Sequence, residues 1–243
     1  MFLKLRKNII LSLTKKELGY YFNNPFGYIA ATLFGIFASF VFVKDIFLVG
    51  DGSMRQFFEI LVWLLLIFVP TVAMRLFSEE KRLKTLELLL SFPVTIEEIV
   101  LAKFLSLIVF CFIAVTLTFS IPVSLFFISS PPVSTIIVSY LGVFMFIGFL
   151  GSVSLFFSSR TTSQIVALLS SVLVSFVFLV FGSDFFGSFL PLSLKNILVF
   201  MSPLNYLDFF YKGIIDLRSV IFFLTFILVF LVSSYLSIRK NRS

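Results

Sequence analysis

The sequence predicts an all-α integral membrane protein, built as a bundle of six transmembrane helices. Of its 243 residues, 60% are hydrophobic and 13% are charged, whereas soluble chains have roughly 45–50% and about 25%. This composition leaves too little polar surface to solvate a globule. Apolar intervals without charge recur along the chain, and at about 20 residues per crossing six helices use about half of it. We therefore expect one transmembrane domain over residues 1–243.

The charge-free intervals place the individual crossings. The longest interval, from Lys103 to Arg160, has room for two spans. The paired prolines within residues 128–134 separate these two spans, because they cannot continue a helix. The six spans are expected at about Phe26–Val43, Phe57–Met74, Lys103–Phe126, Ser134–Phe157, Ser163–Phe181 and Ser219–Ile238.

Lysine and arginine residues predict the orientation of the bundle. Fourteen of the 19 lie in the N-terminal segment, in the loops after spans 2 and 4, and at the C-terminus. The other five lie on the opposite face. Because cytoplasmic loops carry the excess of basic residues, the sequence predicts that both termini are cytoplasmic, which an even number of spans permits.

The N-terminal segment, residues 1–24, is expected to form a cytoplasmic interfacial helix. Phe2, Leu5, Ile9 and Leu13 follow helical spacing, and the basic residues lie largely on other faces. Two roles remain open for this helix. It is either an anchor at the membrane surface or an element that transmits motion.

Residues 183–218, between spans 5 and 6, contain apolar stretches that are too short to cross the membrane. Pro191 and Pro203 interrupt these stretches. We expect short extracytoplasmic helices that lie in the outer leaflet or re-enter it. A loop packed on the top of the bundle is an equal alternative.

Several function classes are disfavoured by what the sequence lacks. It contains no histidine, which is the commonest metal ligand and the usual general base. Its one cysteine, Cys111, lies in an apolar run and is expected to be a buried small hydrophobe. The net charge of +7 is expected to reflect basic residues near lipid headgroups. We therefore predict no catalytic residue, no directly bound cofactor, no metal site and no nucleic-acid partner.

The charged segment between spans 2 and 3, Arg75–Glu98, carries the most information. Ser78 is placed to cap a helix over residues 78–92, with acidic residues in the first turn, where the helix dipole favours them. Pro93 ends this helix. Residues 95–98 form a capping box that begins the helix of span 3.

The helix over residues 78–92 is expected to be amphipathic and braced between two membrane helices. Glu80 and Lys84 are spaced to form an ion pair, and Leu86, Leu89 and Leu90 give the helix an apolar side. Such an element can dock into the groove of a partner and pass a rigid-body movement to the spans. The alternative is a solvated loop helix that only stabilises the fold.

The ordered set of residues in this segment is more specific than any single motif. It comprises Arg75, Glu79, Glu80, Lys81, Arg82, Thr85, Leu86, Glu87, Leu88, Leu89, Pro93, Val94, Glu98 and Lys103. This set resembles the signature of ABC-2 type transporter permeases, closest to the small six-span branch that includes gliding-motility and sodium or drug exporter permeases. Residues 17–25 and 202–216 resemble further segments of that family, so the resemblance covers essentially the whole chain. Lys84 stands where the family commonly has glycine, and we expect the helix to continue through it.

The resemblance implies the permease subunit of an ATP-driven exporter in the bacterial cytoplasmic (inner) membrane. Residues 78–92 would be its coupling helix, seated in a separate P-loop ATPase subunit. This chain has no G-x-x-x-x-G-K-[ST] loop, so two copies of the ATPase would hold ATP and Mg. A second permease copy or a related permease would complete the unit in the lipid bilayer, with an envelope accessory protein as a further candidate partner. The implied coupling residues are Glu79, Glu80, Lys81, Arg82, Thr85, Leu86, Glu87, Leu89 and Pro93.

Two other functions remain open from the sequence. The chain could be an ABC-type membrane subunit that transmits force to envelope partners without moving substrate. An ion-coupled secondary transporter is less favoured, because spans 3 to 6 contain no ionisable residue in their interiors and Glu59 lies near one end of span 2.

Span 4 contains two small residues with helical spacing, Gly148 and Ser152. Small residues four positions apart let two helices approach closely. The contact could join two subunits or lie within one, and local packing is the favoured alternative.

Overall fold

The computed structural model of the protein describes residues 6–49, 54–121, 123, 132–180 and 200–240, and every regular element in these ranges is a helix. The α-helices are α1 (Lys7–Asn23), α2 (Pro25–Val49), α3 (Met54–Ala73), α4 (Arg75–Arg82), α5 (Thr85–Ser91), α6 (Ile96–Thr116), α7 (Val133–Arg160), α8 (Gln164–Val180), α9 (Pro203–Tyr211) and α10 (Leu217–Lys240). A 3₁₀ turn, Leu117–Phe119, extends α6. The predicted all-α class is confirmed.

Five helical stretches in the described residues are long and apolar enough to cross a membrane. They are Pro25–Lys44, Met54–Arg82, Ile96–Phe119, Val133–Arg160 and Leu217–Lys240. Helix α8 coincides with the expected fifth span and is apolar, but its described part has 17 residues. The protein is therefore a multi-pass membrane protein.

Helix α7 is the centre of the bundle, and it packs against α3, α4, α6, α8, α9 and α10. Gly148 and Ser152 are both buried on it. A Cβ atom added at Gly148 would lie 2.8 Å from the Cδ1 atom of Ile227 on α10. The small size of Gly148 is thus explained by close packing against α10 within the chain, which is one of the two alternatives for this pair.

Helix α9 packs on the end of the bundle. Leu207 and Phe210 are fully buried, and the Ser139 hydroxyl of α7 donates to the Phe210 carbonyl oxygen at 3.2 Å. Arg55 of α3 also bonds Asp208 of α9 at 2.7 Å. This part of residues 183–218 therefore packs on the bundle, whereas residues 183–199 lie outside the described residues.

Helix α1 packs along α6 and turns sharply into α2. Its Tyr21 side chain is buried, stacks on Phe110 with 4.6 Å between ring centroids, and donates to the Val72 carbonyl oxygen at 3.1 Å. The turn requires glycine at position 27, because a Cβ atom there would lie 2.0 Å from the Tyr21 carbonyl oxygen. The expected N-terminal helix is thus present from Lys7, and residues 1–5 lie outside the described part.

Glu59 lies at the end of α3 that is near α9. Its carboxylate accepts from Arg55 at 2.9 Å, and about half of its side-chain surface is exposed. Paired with a cation at the end of a helix, Glu59 has the surroundings of an interfacial residue rather than those of an intramembrane ion site.

Candidate functional site

The charged segment after α3 folds as two helices, not as the single helix expected over residues 78–92. Helix α4 ends at Arg82 and α5 begins at Thr85. Lys84, between them, has φ 58° and is left-handed. Glycine adopts this conformation without steric cost, so the position where the family commonly has glycine is a turn. The expectation that the helix continues through Lys84 was wrong.

Ser78 does not cap a helix, because α4 begins three residues earlier, directly after the last turn of α3. The hydroxyl that hydrogen-bonds the backbone where α3 meets α4 belongs to Ser158 of α7. It accepts from the backbone N–H groups of Phe77 at 3.0 Å and Ser78 at 3.2 Å, and it donates to the Met74 carbonyl oxygen at 2.8 Å. The start of α4 is therefore bonded to the central helix of the bundle.

Glu80 pairs with Lys103 of α6 rather than with Lys84. The Lys103 Nζ atom lies 2.7 Å from Glu80 Oε1 and 2.9 Å from Glu17 Oε1, and its side chain is 2% exposed. This buried triad joins α1, α4 and α6. Removing a member of such a group leaves an uncompensated charge, so the triad fixes α4 relative to both neighbours.

Two further cations of α4 complete the attachment. The Lys81 ammonium group donates to the Ser159 carbonyl oxygen of α7, which also accepts from the Ser237 hydroxyl of α10. The Arg75 guanidinium lies over the Tyr20 ring of α1, with its Cζ atom 3.3 Å from the ring centroid. Side chains of α4 therefore bond or stack directly with α1, α6 and α7.

Arg6, directly before α1, forms hydrogen bonds with the turn that leads from α5 into α6. Thr95 and Glu98 form the capping box expected at the start of α6. The Arg6 guanidinium donates to both carboxylate oxygens of Glu98 at 3.1 Å and to the Pro93 carbonyl oxygen. Hydrogen bonding to Glu98 raises the pKa of Arg6. As expected, α5 ends just before Pro93.

Three apolar side chains are exposed at the tip of the charged segment. Leu83 lies in the turn, Leu88 on α5 is 64% exposed, and Phe92 after α5 is 62% exposed. We call these three residues the apolar tip. Arg82, Lys84 and Glu87 are exposed beside it.

The implied coupling residues differ in their exposure in the structure. Leu86 is buried, and Leu89 is half-buried and packs against the core. Thr85, Glu87 and Pro93 are exposed. The half-buried residues are Glu79, Glu80 and Lys81, and Arg82 is exposed.

The sequence interpretation did not include the apolar tip among the coupling residues. Leu88 and Phe92 are four residues apart, a spacing that places them on one side of a helix and away from Leu86, Leu89 and Leu90. This spacing indicated that Leu88 and Phe92 lie on a side of the helix other than the one packed against the core. In the described part of the chain, no group of three or more His, Cys, Asp or Glu residues is placed to hold a metal ion.

Comparison with known proteins identifies the family. The sequence profile of the family described as "ABC-2 family transporter protein" matches residues 28–241. A search of curated proteins finds no match to the chain. Because the profile covers most of the chain, from α2 through α10, this multi-pass membrane protein belongs to the ABC-2 transporter family.

Proposed function

We propose that the chain is the permease subunit of an ATP-driven exporter, and that the apolar tip docks on a separate P-loop ATPase. ATP binding would close the ATPase dimer, displace α4 and α5, and reorient the spans. Hydrolysis would reset them. The different contacts of ATP with the two states of the ATPase would supply the driving force.

The observation that carries this proposal is the contrast between the two sides of the charged segment. Leu88 and Phe92 are large apolar side chains, and both are mostly exposed. The opposite side is held by Ser158, Lys103 and Arg6. An exposed apolar cluster favours association with a protein surface, and the rigid attachment behind it would pass a displacement to the bundle.

ATP and Mg would be bound by the partner, because this chain has no P-loop motif. Two ATPase copies would serve two permease subunits, either identical or related. No residue of this chain is assigned a catalytic role. We further propose that α8 is the sixth span, that the apolar tip and both termini are cytoplasmic, and that the protein resides in the bacterial inner membrane.

The proposal is tested by coexpressing the chain with each candidate P-loop ATPase of the same genome and measuring copurification and stimulated ATP hydrolysis. Leu88→Asp and Phe92→Asp should each reduce the affinity roughly tenfold or more, as expected for an apolar anchor of an interface. The matched control is Ile214→Asp, which changes an exposed apolar residue outside the charged segment.

Membrane insertion and the unfolding temperature should be unchanged in the two tip variants, because neither side chain is buried. Retention of both copurification and stimulation in Leu88→Asp and Phe92→Asp would contradict docking through the tip. Loss of both in the Ile214→Asp control would show that the assay reports a general defect.

A further inference from the structure

A cleft with several charged residues in its lining opens between α1, α4 and the first turns of α2 and α8. It consists of two adjoining chambers of about 550 Å³ and about 270 Å³. Both chambers are lined by Tyr20, Asn24, Arg75 and Glu79. We call this the interfacial cleft. Of the apolar tip, Leu83 lines the larger chamber, whereas Leu88 and Phe92 line neither chamber.

Arg75 is the buried cation of the interfacial cleft, which the exposed residues Lys16 and Arg82 also line. Its side chain lies over the rings of Tyr20 and Tyr21, and the residue is 8% exposed. Its Nε–H is buried without a hydrogen-bond acceptor. Among the described residues, no carboxylate lies within ion-pair distance of Arg75. A buried guanidinium that lacks a carboxylate partner is expected to bind an anion from outside the chain.

Acceptors for a cation lie beside Arg75. Glu79 is four residues further along α4, a spacing at which an ion pair with Arg75 is usual, yet no ion pair joins them in the described structure. Glu80 uses Oε1 for Lys103, whereas its Oε2 atom is buried without a partner. The cleft therefore presents an unpaired cation next to unpaired carboxylate oxygens.

The depth of the cleft relative to the bilayer follows from the helices around it. Pro25 begins α2, Met74 follows the last residue of α3, and Gln164 begins α8, and all three line the smaller chamber. Apolar helices begin and end at the level of the lipid headgroups. The apolar side chains exposed in the first turns of α2 and α8 are Tyr28, Ile29, Ile165 and Val166.

We propose that the interfacial cleft binds the headgroup of a zwitterionic aminophospholipid of the phosphatidylethanolamine class. The phosphate accepts from the Arg75 guanidinium, and the ammonium group donates to Glu79 and to the free oxygen of Glu80. The acyl chains lie along the exposed apolar turns of α2 and α8. An anionic lipid without an amine would satisfy Arg75 but would leave its headgroup beside two carboxylates.

The test uses the delipidated full chain in detergent and counts bound lipid by native mass spectrometry. The probes are phosphatidylethanolamine and phosphatidylglycerol with identical acyl chains, together with soluble glycerophosphoethanolamine. The wild type should bind phosphatidylethanolamine at least tenfold more tightly than phosphatidylglycerol. Arg75→Gln should weaken phosphatidylethanolamine binding at least tenfold, whereas Arg160→Gln, which removes an exposed guanidinium from the end of α7, should not.

Glu79→Gln gives an independent result that does not require a change at the buried arginine. Because this change removes a negative charge from the cleft, phosphatidylglycerol binding should become tighter and the preference between the two lipids should narrow. Equal binding of the two lipids by the wild type, or an unchanged preference in Glu79→Gln, would overturn the proposal.

Two other outcomes would assign Arg75 to a different ligand. Binding of soluble glycerophosphoethanolamine as tight as that of the lipid would show a site for a free phosphate ester and would overturn the lipid assignment. Loss of ATPase copurification in Arg75→Gln, with lipid binding unchanged, would show that Arg75 meets a carboxylate of the partner protein instead. The lipid-binding measurements do not depend on docking through the apolar tip.

Discussion

The Nζ atom of Lys103 lies 2.7 Å from the Oε1 atom of Glu80, 23 residues away in sequence. This contact joins α6, in the third membrane-spanning stretch, to α4 of the charged segment that precedes it. Glu17 of α1 shares the same ammonium group at 2.9 Å. Two carboxylates from different helices therefore depend on one buried cation.

Replacing Lys103 with methionine should destabilise the protein by about 3–5 kcal/mol, because Glu17 and Glu80 would be left without their cation. The measurement is the unfolding temperature of the purified protein in detergent. Lys7→Met, at an exposed position of α1, is the matched control and should have little effect. Adding Glu17→Gln and Glu80→Gln to Lys103→Met should recover part of the loss. If the unfolding temperature of the triple variant does not rise above that of Lys103→Met, the uncompensated charges of Glu17 and Glu80 are not the cause of the destabilisation.

Ser158→Ala should lower stability by roughly 1–3 kcal/mol, because the backbone N–H groups of Phe77 and Ser78 would lose their acceptor. Ser154→Ala is a close control. It lies on the same helix and is buried, but its hydroxyl donates to the carbonyl oxygen of Leu150 in its own helix. Thermal unfolding should separate the two variants. Equal shifts would contradict a special role for Ser158 at the junction of α3 and α4.

Lys84→Gly should stabilise the protein by roughly 1 kcal/mol, because glycine adopts a positive φ without the steric cost that a side chain brings. The same substitution at Lys15, in the exposed interior of α1, should destabilise it by about 1 kcal/mol. Opposite signs of the two shifts in unfolding temperature are expected. A decrease for Lys84→Gly would contradict the left-handed turn between α4 and α5.

The proposed orientation predicts which exposed positions react with a membrane-impermeant maleimide in intact cells. In a Cys111→Ala background, a cysteine at Ile214 should be labelled and a cysteine at Ser91 should be labelled only after permeabilisation. Both positions are exposed in the structure, so accessibility within the protein does not explain a difference. The reverse pattern would place the apolar tip outside the cytoplasm.

Local patterns were sufficient to predict the helices and several of their ends. The capping box of Thr95 and Glu98 and the helix end before Pro93 depend on residues a few positions apart, and both are present in the structure. The charge-free intervals likewise correspond to helices. Such features are encoded within one or two helical turns, where spacing alone determines which groups can meet.

Long-range partners account for what the sequence did not predict at the charged segment. Ser78 and Glu80 were assigned local roles, but the start of α4 is bonded to Ser158 and Glu80 pairs with Lys103. No periodic pattern links such positions before the chain has folded. At Lys84 the signal was present, since the family commonly has glycine there, but a helix was expected instead of the turn that glycine indicates.

The central claim is that the apolar tip contacts a P-loop ATPase, and crosslinking from the tip tests it most directly. A photoreactive amino acid is placed at Leu88 in the full complex in native membranes, with Ile214 as the matched exposed position. Irradiation should join Leu88 to a peptide from a protein that carries a G-x-x-x-x-G-K-[ST] loop, and Ile214 should give no such product. Crosslinks from Leu88 to lipid or to an envelope protein alone would contradict the claim.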